Sequence, residues 1–310
     1  MKRGYTFLLV FGLSILAGCA TDTGRENEAQ RMFLTGRDLE EAFESLPRAI
    51  ARYAEIAEKY ADTETGKRAG ERYQKLLKAQ QLLSRRGATS QDSLMEFYEQ
   101  VRQVAPDYFA LLKRLGTVYF NRSNINARFA IRSQSQPLME SVMEMWRRQD
   151  QMWSQYDFRP LPEDRDWQDN LCKHAVMVGR MLQGFKEYDK ALRVVERGLS
   201  YASGQEQIAR AKVYAAFYTF RQGKIEDLRR SISLANEAMA YEFLPDEDRA
   251  RAYHVIGLNY TYIHQDTGVI SDLEEGIKAL NEAVNLDPKL DEAKDLLRQL
   301  RRLRETASVD

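Results

Sequence analysis

The chain has 310 residues, enough for one large domain or two ordinary ones with a substantial core. Hydrophobic residues make up 44% and charged residues 30%, with only 7 prolines and 17 glycines, which suits long solvated helices and excludes collagen-like or disordered chains. Lysine and arginine (46) balance aspartate and glutamate (46), so the sequence lacks the electrostatic footprint of a nucleic-acid binder.

The N-terminus begins with Lys2 and Arg3, continues with an apolar run from Tyr5 to Leu16, and ends in the small residues Ala17 and Gly18 before Cys19. That is the layout of a secretory signal peptide. The run falls short of the about 20 apolar residues a transmembrane helix needs. Leu16-Ala17-Gly18-Cys19 resembles the bacterial lipoprotein processing site. The resemblance implies removal of residues 1–18 and a lipidated Cys19 carrying palmitate-type chains, each buried methylene contributing about 0.8 kcal/mol. Ala20, where an Asp would retain such a protein in the inner membrane, implies the periplasmic leaflet of the outer membrane. Residues 19–36, rich in Thr, Asp, Gly, Arg and Asn, are expected to form a flexible tether.

No later segment alternates with period two; apolar residues recur at three and four, as in amphipathic helices. Residues 37–160 are expected to be an N-terminal helical region with degenerate repeats. Ser45 and Pro47 predict an N-cap and a tolerated first-turn proline, leading into a stripe of Ala49, Tyr53, Ile56 and Tyr60. After a break at Asp62–Thr63 comes a second stripe of Ala69, Tyr73, Leu76, Leu77 and Ala79, with Gly87 as its C-terminal cap. The Ala49–Tyr60 segment with Ala69 and Tyr73 resembles the repeats of periplasmic outer-membrane assembly lipoproteins, although Ala61 stands where those repeats carry Pro. Beyond Thr89, Leu94, Phe97, Tyr98, Val101 and Val104 predict a helix stopped by Pro106. Tyr108 to Val118 predicts the next, and a third starts near Ile125 and is broken or kinked at Pro137. Met139, Met143, Met145, Trp146, Met152 and Trp153 read as adaptable core packing, with a partner groove as the alternative. Arg159-Pro-Leu-Pro-Glu-Asp reads as a linker.

From residue 161 the chain repeats itself. Ala175-x2-Val178-Gly179-x2-Leu182 pairs with Ala191-x3-Val195, and Ala211-x2-Tyr214-Ala215-x2-Tyr218 pairs with Ser231-x3-Ala235. Tyr253-x2-Ile256-Gly257-x2-Tyr260 pairs with Gly276-x3-Leu280, Ala283 and Pro288. The order of large, small and aromatic positions resembles the tetratricopeptide repeat, a two-helix hairpin that stacks on copies of itself. The centres Gly179, Ala215 and Gly257 lie 36 and 42 residues apart, against a natural period of about 34. Extra residues between the paired helices account for much of the excess, including a long turn expected at His264–Ile270, a candidate contact loop. The resemblance implies an all-α, tetratricopeptide-type helical-hairpin solenoid with a right-handed superhelix over 161–310. Gly179, Ala191, Ala215, Tyr218, Gly257, Tyr260, Ala283 and Pro288 would be its packing residues, and Leu290 to Leu303 its capping helix.

Signs of catalysis are missing from the sequence. The histidines His174, His254 and His264 lack zinc-site spacing, and Cys172-x-His174 reads as a packed cysteine beside a surface histidine. Nucleotide-binding glycine loops and the nucleophile elbow are absent. Glu140-Ser141 lacks the glycine-rich run that follows the catalytic Glu of lytic transglycosylases. The expectation is therefore no enzyme, cofactor, metal, nucleic acid or small-molecule substrate, and partners that are envelope proteins or peptide segments, with the membrane reached through the lipid. A second stripe on each first helix would face the inside of the stack. Arg251, His254, Leu258 and Thr261 form it around Gly257; the same offsets give Lys173, Val176, Arg180 and Gln183, and Ala209, Lys212, Ala216 and Thr219. Lys173, Arg180, Lys212 and Arg251 would line a groove for an acidic segment or a chain-terminal carboxylate, the alternative being a solvated face balanced by acids. The expected role is a membrane-anchored scaffold or adaptor in envelope assembly, secretion or maintenance. A pilotin-like escort of a secretin or pilus component and a cell-wall hydrolase are the alternatives.

Overall fold

The computed structural model describes residues 23–85, 90–156, 158 and 162–307. The signal peptide, Cys19, the Gly87 cap and the first part of the linker lie outside the described residues. Among those described there are helices and turns and no strand: the protein is an all-α helical-hairpin solenoid. It divides into two compact units, Met1–Tyr119 and Phe120–Asp310. That division falls inside a helix, well before the 160/161 boundary expected from the sequence.

Unit 1 contains helix α1 (23–39), a 3-10 turn at Phe43–Ser45, α2 (Leu46–Lys59), α3 (Glu64–Leu83), α4 (Gln91–Val104) and the start of α5 (Phe109–Ser133). Ser45 stands at the N-cap of α2 with Pro47 in the first turn, though its side chain makes no capping bond. Thr63 does cap α3, accepting from Gly66 N–H at 2.9 Å. Residues 23–36 are not a tether. They are helical because α1 has an apolar side to bury: Ala29 and Phe33 are in the core, with Phe33 edge-on to Tyr53 at 5.0 Å. Below them Arg72 spans the Glu40 carboxylate and Asp107, and Tyr53 donates to Glu40 at 2.7 Å. Burial drives the Tyr53 hydroxyl's pKa upward, with help from Glu40.

Unit 2 takes the rest of α5, then α6 (Gln136–Ser154), α7 (Pro162–Gly184), α8 (Tyr188–Leu199), α9 (Gln205–Phe220), α10 (Ile225–Met239), α11 (Asp246–Thr267), α12 (Ile270–Leu286) and α13 (Asp291–Ala307). Two expected helices merge into the single α5, and the break expected at Pro137 is present: α5 ends at Ser133 and Pro137 lies in the first turn of α6. Gln134 takes φ 50 in the turn before it, and proline fits a first helical turn because no amide is needed there. Met139, Met145, Trp146, Met152 and Trp153 are buried, as core residues.

From α7 onward each helix packs on its neighbour in sequence, and α7, α9, α11 and α13 also touch in succession. The hairpins α7–α8, α9–α10 and α11–α12 are the three expected copies. Gly179 and Gly257 permit the closest approaches. A methyl on Gly179 would sit 2.7 Å from Val195 Cγ2 of the paired helix and 3.2 Å from Tyr218 Cε2 of the next. One on Gly257 would sit 2.5 Å from Leu280 Cγ. Ala191, Ala215, Tyr218 and Ala283 are buried, Tyr260 is half-buried beside them, and Pro288 lies exposed in the turn before α13.

The long turn expected at His264–Ile270 does not exist. Helix α11 continues to Thr267, and Gly268 ends it in the left-handed conformation (φ 69) two residues before α12. The extra residues stay helical because Ile263 packs on Phe220 and Leu228 of the preceding hairpin. His264 Nδ1 donates to Val269 O at 2.8 Å and closes the corner. Finally, Ala293, Leu297 and Leu300 of α13 cover Leu273, Leu280 and Ala283.

Candidate binding groove

The first helices of the hairpins expose their free stripes on one side of unit 2, and a cavity of about 660 Å³ opens there. Helix α7 contributes Arg180 and Gln183, and α9 contributes Val213, Tyr214, Phe217 and Arg221. Helix α11 adds Arg251, His254, Val255 and Leu258; the far wall is Leu290, Glu292, Asp295, Leu296 and Gln299, from α13 and the residue before it.

Charge is distributed unevenly. Arg251 is committed: it donates to Tyr214 Oη at 2.7 Å and pairs with Glu247 and Asp248. Asp248 is buried and also holds Arg210 at 2.9 Å, tying α9 to α11. Arg180 lies over the Tyr214 ring at 6.0 Å and Arg221 over Phe217 at 5.1 Å. Neither pairs with a carboxylate among the described residues. On the opposite wall Asp295 pairs with Arg298. His254 is held below the ordinary imidazole pKa by burial, with Arg221 adding to the effect and Glu292 opposing it. The groove therefore has an aromatic and aliphatic floor, two uncommitted guanidiniums on one side and carboxylates on the other. Such a surface can receive an apolar segment with a carboxylate held by charge-assisted hydrogen bonds.

Of the residues expected from sequence, Arg180, Gln183, Arg251 and His254 come together here. Three do not. Lys173 is exposed outside the cavity. Lys212 turns to α10, pairing with Glu237 at 2.9 Å and lying over the Tyr241 ring. Thr261 is buried, its hydroxyl donating to Gly257 O at 2.7 Å. The equal-offset rule fails on α9 because Ala209 and Ala216 are core, packed with Ala252, Val255 and Ile256 of α11. Tyr214, Phe217 and Arg221, spaced three and four, take that place and were a legible stripe. Glu292 and Asp295 were missed because α13 was read only as a cap.

The cysteine–histidine pair is also corrected in part. Cys172 is packed as expected, its S–H reaching Gln207 O at 3.8 Å and its thiol pushed up to about 12, chiefly by burial. His174 is buried, not on the surface. Its Nδ1 bonds Gln149 Oε1 at 2.5 Å, and its ring packs edge-on to Phe120 and Trp146. Nδ1–H donates to the amide oxygen, which leaves Nε2 without a hydrogen-bond partner in an apolar pocket, and burial lowers the pKa to about 3.

No family profile matches the chain, and neither does any curated protein sequence. Solved structures similar to it include the MamA RS-1 ArsTM double mutant, at 16% identity and TM-score 0.35 over 61% of this chain and 98% of that one. A human IFIT1 dimer with PPP-AAAA shares 15% identity at TM-score 0.38, over 86% of this chain and 61% of that one. The TPR2AB-domain:pHSP90-complex of yeast Sti1 shares 13% identity at TM-score 0.31, over 93% of this chain and 99% of that one. The fold is read from the helix pairs themselves.

Proposed function

We propose that this chain is a lipid-anchored, non-enzymatic scaffold of a bacterial cell envelope, facing the periplasm from the outer membrane, whose unit 2 groove binds an acidic peptide segment or chain-terminal carboxylate of another envelope protein. The observation that carries the binding role is the pair Arg180 and Arg221, two cations without acid partners among the described residues, set above an aromatic floor. Leu16–Cys19 supports the anchor, and Ala20 the outer membrane.

The test uses short fluorescent peptides with apolar centres and acidic C-termini, each compared with its C-terminal amide. Binding should weaken on amidation and with added salt. Exchange of both arginines (R180E with R221E) should reduce it at least about tenfold, or about 1.4 kcal/mol. Lys173→Glu, outside the cavity, should change little. Unaltered binding after the double charge reversal would sink the groove. For the anchor, labelled palmitate should enter the wild-type chain and not Cys19→Ser.

A further inference from the structure

Helix α1 changes what the anchor can do. Its first turns are fastened to one end of unit 1, the turn between α2 and α3. Arg25 pairs with Asp62 at 2.8 Å and donates to Lys59 O at 3.0 Å, Lys59 pairs with Glu28 at 3.3 Å, and Glu26 bonds Thr65. Further along, Phe33 and then Glu40 meet Tyr53, whereas Arg25 and Glu28 meet Lys59, so α1 runs antiparallel to α2. From Cys19 to Thr23 there are four Cα–Cα steps, a reach of about 14 Å at full extension.

We infer that α1 is a strap: with Cys19 in the bilayer, it holds the α2–α3 turn of unit 1 against a lipid headgroup surface and fixes which end of the unit faces the membrane. The inference rests on the anchor proposed above. The membrane-facing end is polar. Ala61 and Asp62 are exposed, Arg25 pairs with Asp62 and Lys59 with Glu28, and among the described residues of α1, α2 and α3 the one exposed large apolar side chain is Leu34, in the second half of α1. The end therefore sits at the headgroups without inserting, and its orientation comes from the strap, with no attraction to anionic lipid required.

Energy transfer from a labelled thiol to acceptor-labelled headgroups tests this. Ala61→Cys marks the α2–α3 turn and Ser84→Cys the other end of α3, about 30 Å away along the helix. Both positions are exposed, whereas Cys172 is buried and stays unlabelled in the folded chain. The lipidated chain on vesicles should give transfer at least about twofold stronger from position 61, alike on neutral and anionic vesicles, given that separation. Inserting about 20 Gly and Ser residues before Thr23 should abolish the difference, since such a leash spans about 25 Å. A parallel chain carrying a hexahistidine in place of Cys19, on nickel-chelating vesicles, separates the strap from the lipid chemistry. A position dependence there without acylation of the natural chain would sink the lipid anchor and keep the strap's geometry. Equal transfer from both positions on both vesicle types, or a difference seen only with anionic lipid, would overturn the strap.

Discussion

Gly257 shows how much can hang on a missing methyl. Alanine there would place its Cβ 2.5 Å from Leu280 Cγ and 2.8 Å from Cδ2, in a contact with no slack. Gly257→Ala should destabilise unit 2 by about 1–3 kcal/mol through overpacking. Combining it with Leu280→Ala should cost less than the sum of the two single changes, because the methyl then fills part of the space vacated. Denaturant melts of the four proteins give the coupling directly; strict additivity would contradict the contact. His174 bears on acid stability. The unfolded chain takes up its proton below about pH 6.5, whereas the folded chain refuses it until about pH 3. Stability from this residue is therefore complete above pH 6.5 and declines as pH falls. Between pH 6.5 and 4.5 the wild type should lose on the order of 2 kcal/mol more than His174→Gln, measured as the difference between their urea midpoints; parallel profiles would refute it.

Among the elements, what the sequence announced clearly were the places where a small residue faces a large one at helical spacing. The Gly179, Ala215 and Gly257 hairpins are all there, because their packing is encoded within one repeat. What it hid depends on neighbours distant in the chain. The α11 extension is helical only because Ile263 finds Phe220 and Leu228. Residues 23–36 have the composition of a tether and become helix only against α2 and α3. The groove was half legible: Arg180 and Arg251 were found on it, while Lys212 followed an acid on α10 that spacing could not reveal. Helix α13 offers an element-level test. Ending the chain at Lys289 would expose Leu273, Leu280 and Ala283, which α13 covers. Each uncovered leucine forfeits up to about 1.5–3 kcal/mol. The truncated protein should melt several degrees lower and bind a hydrophobic dye in proportion; an unchanged melt would mean the last hairpin needs no lid.

For the molecule as a whole, unit 2 is a stack in which each hairpin meets mainly the next, so its stability is a chain of nearest-neighbour terms. In such a stack local opening need not be global, and a reporter at a seam between hairpins is worth more than one on an outer face. The protein carries one. Cys172 sits between α7 and the start of α9, nearly sealed, with its thiol poorly ionised at neutral pH. Thiol reagents react with the thiolate, so they should modify it only when the α7–α9 seam parts. The modification rate is then a built-in clock for that seam. If the groove is a binding site, an occupant bridging α7 and α9 should slow the clock without touching the sulfur, reporting occupancy from the inside of the stack.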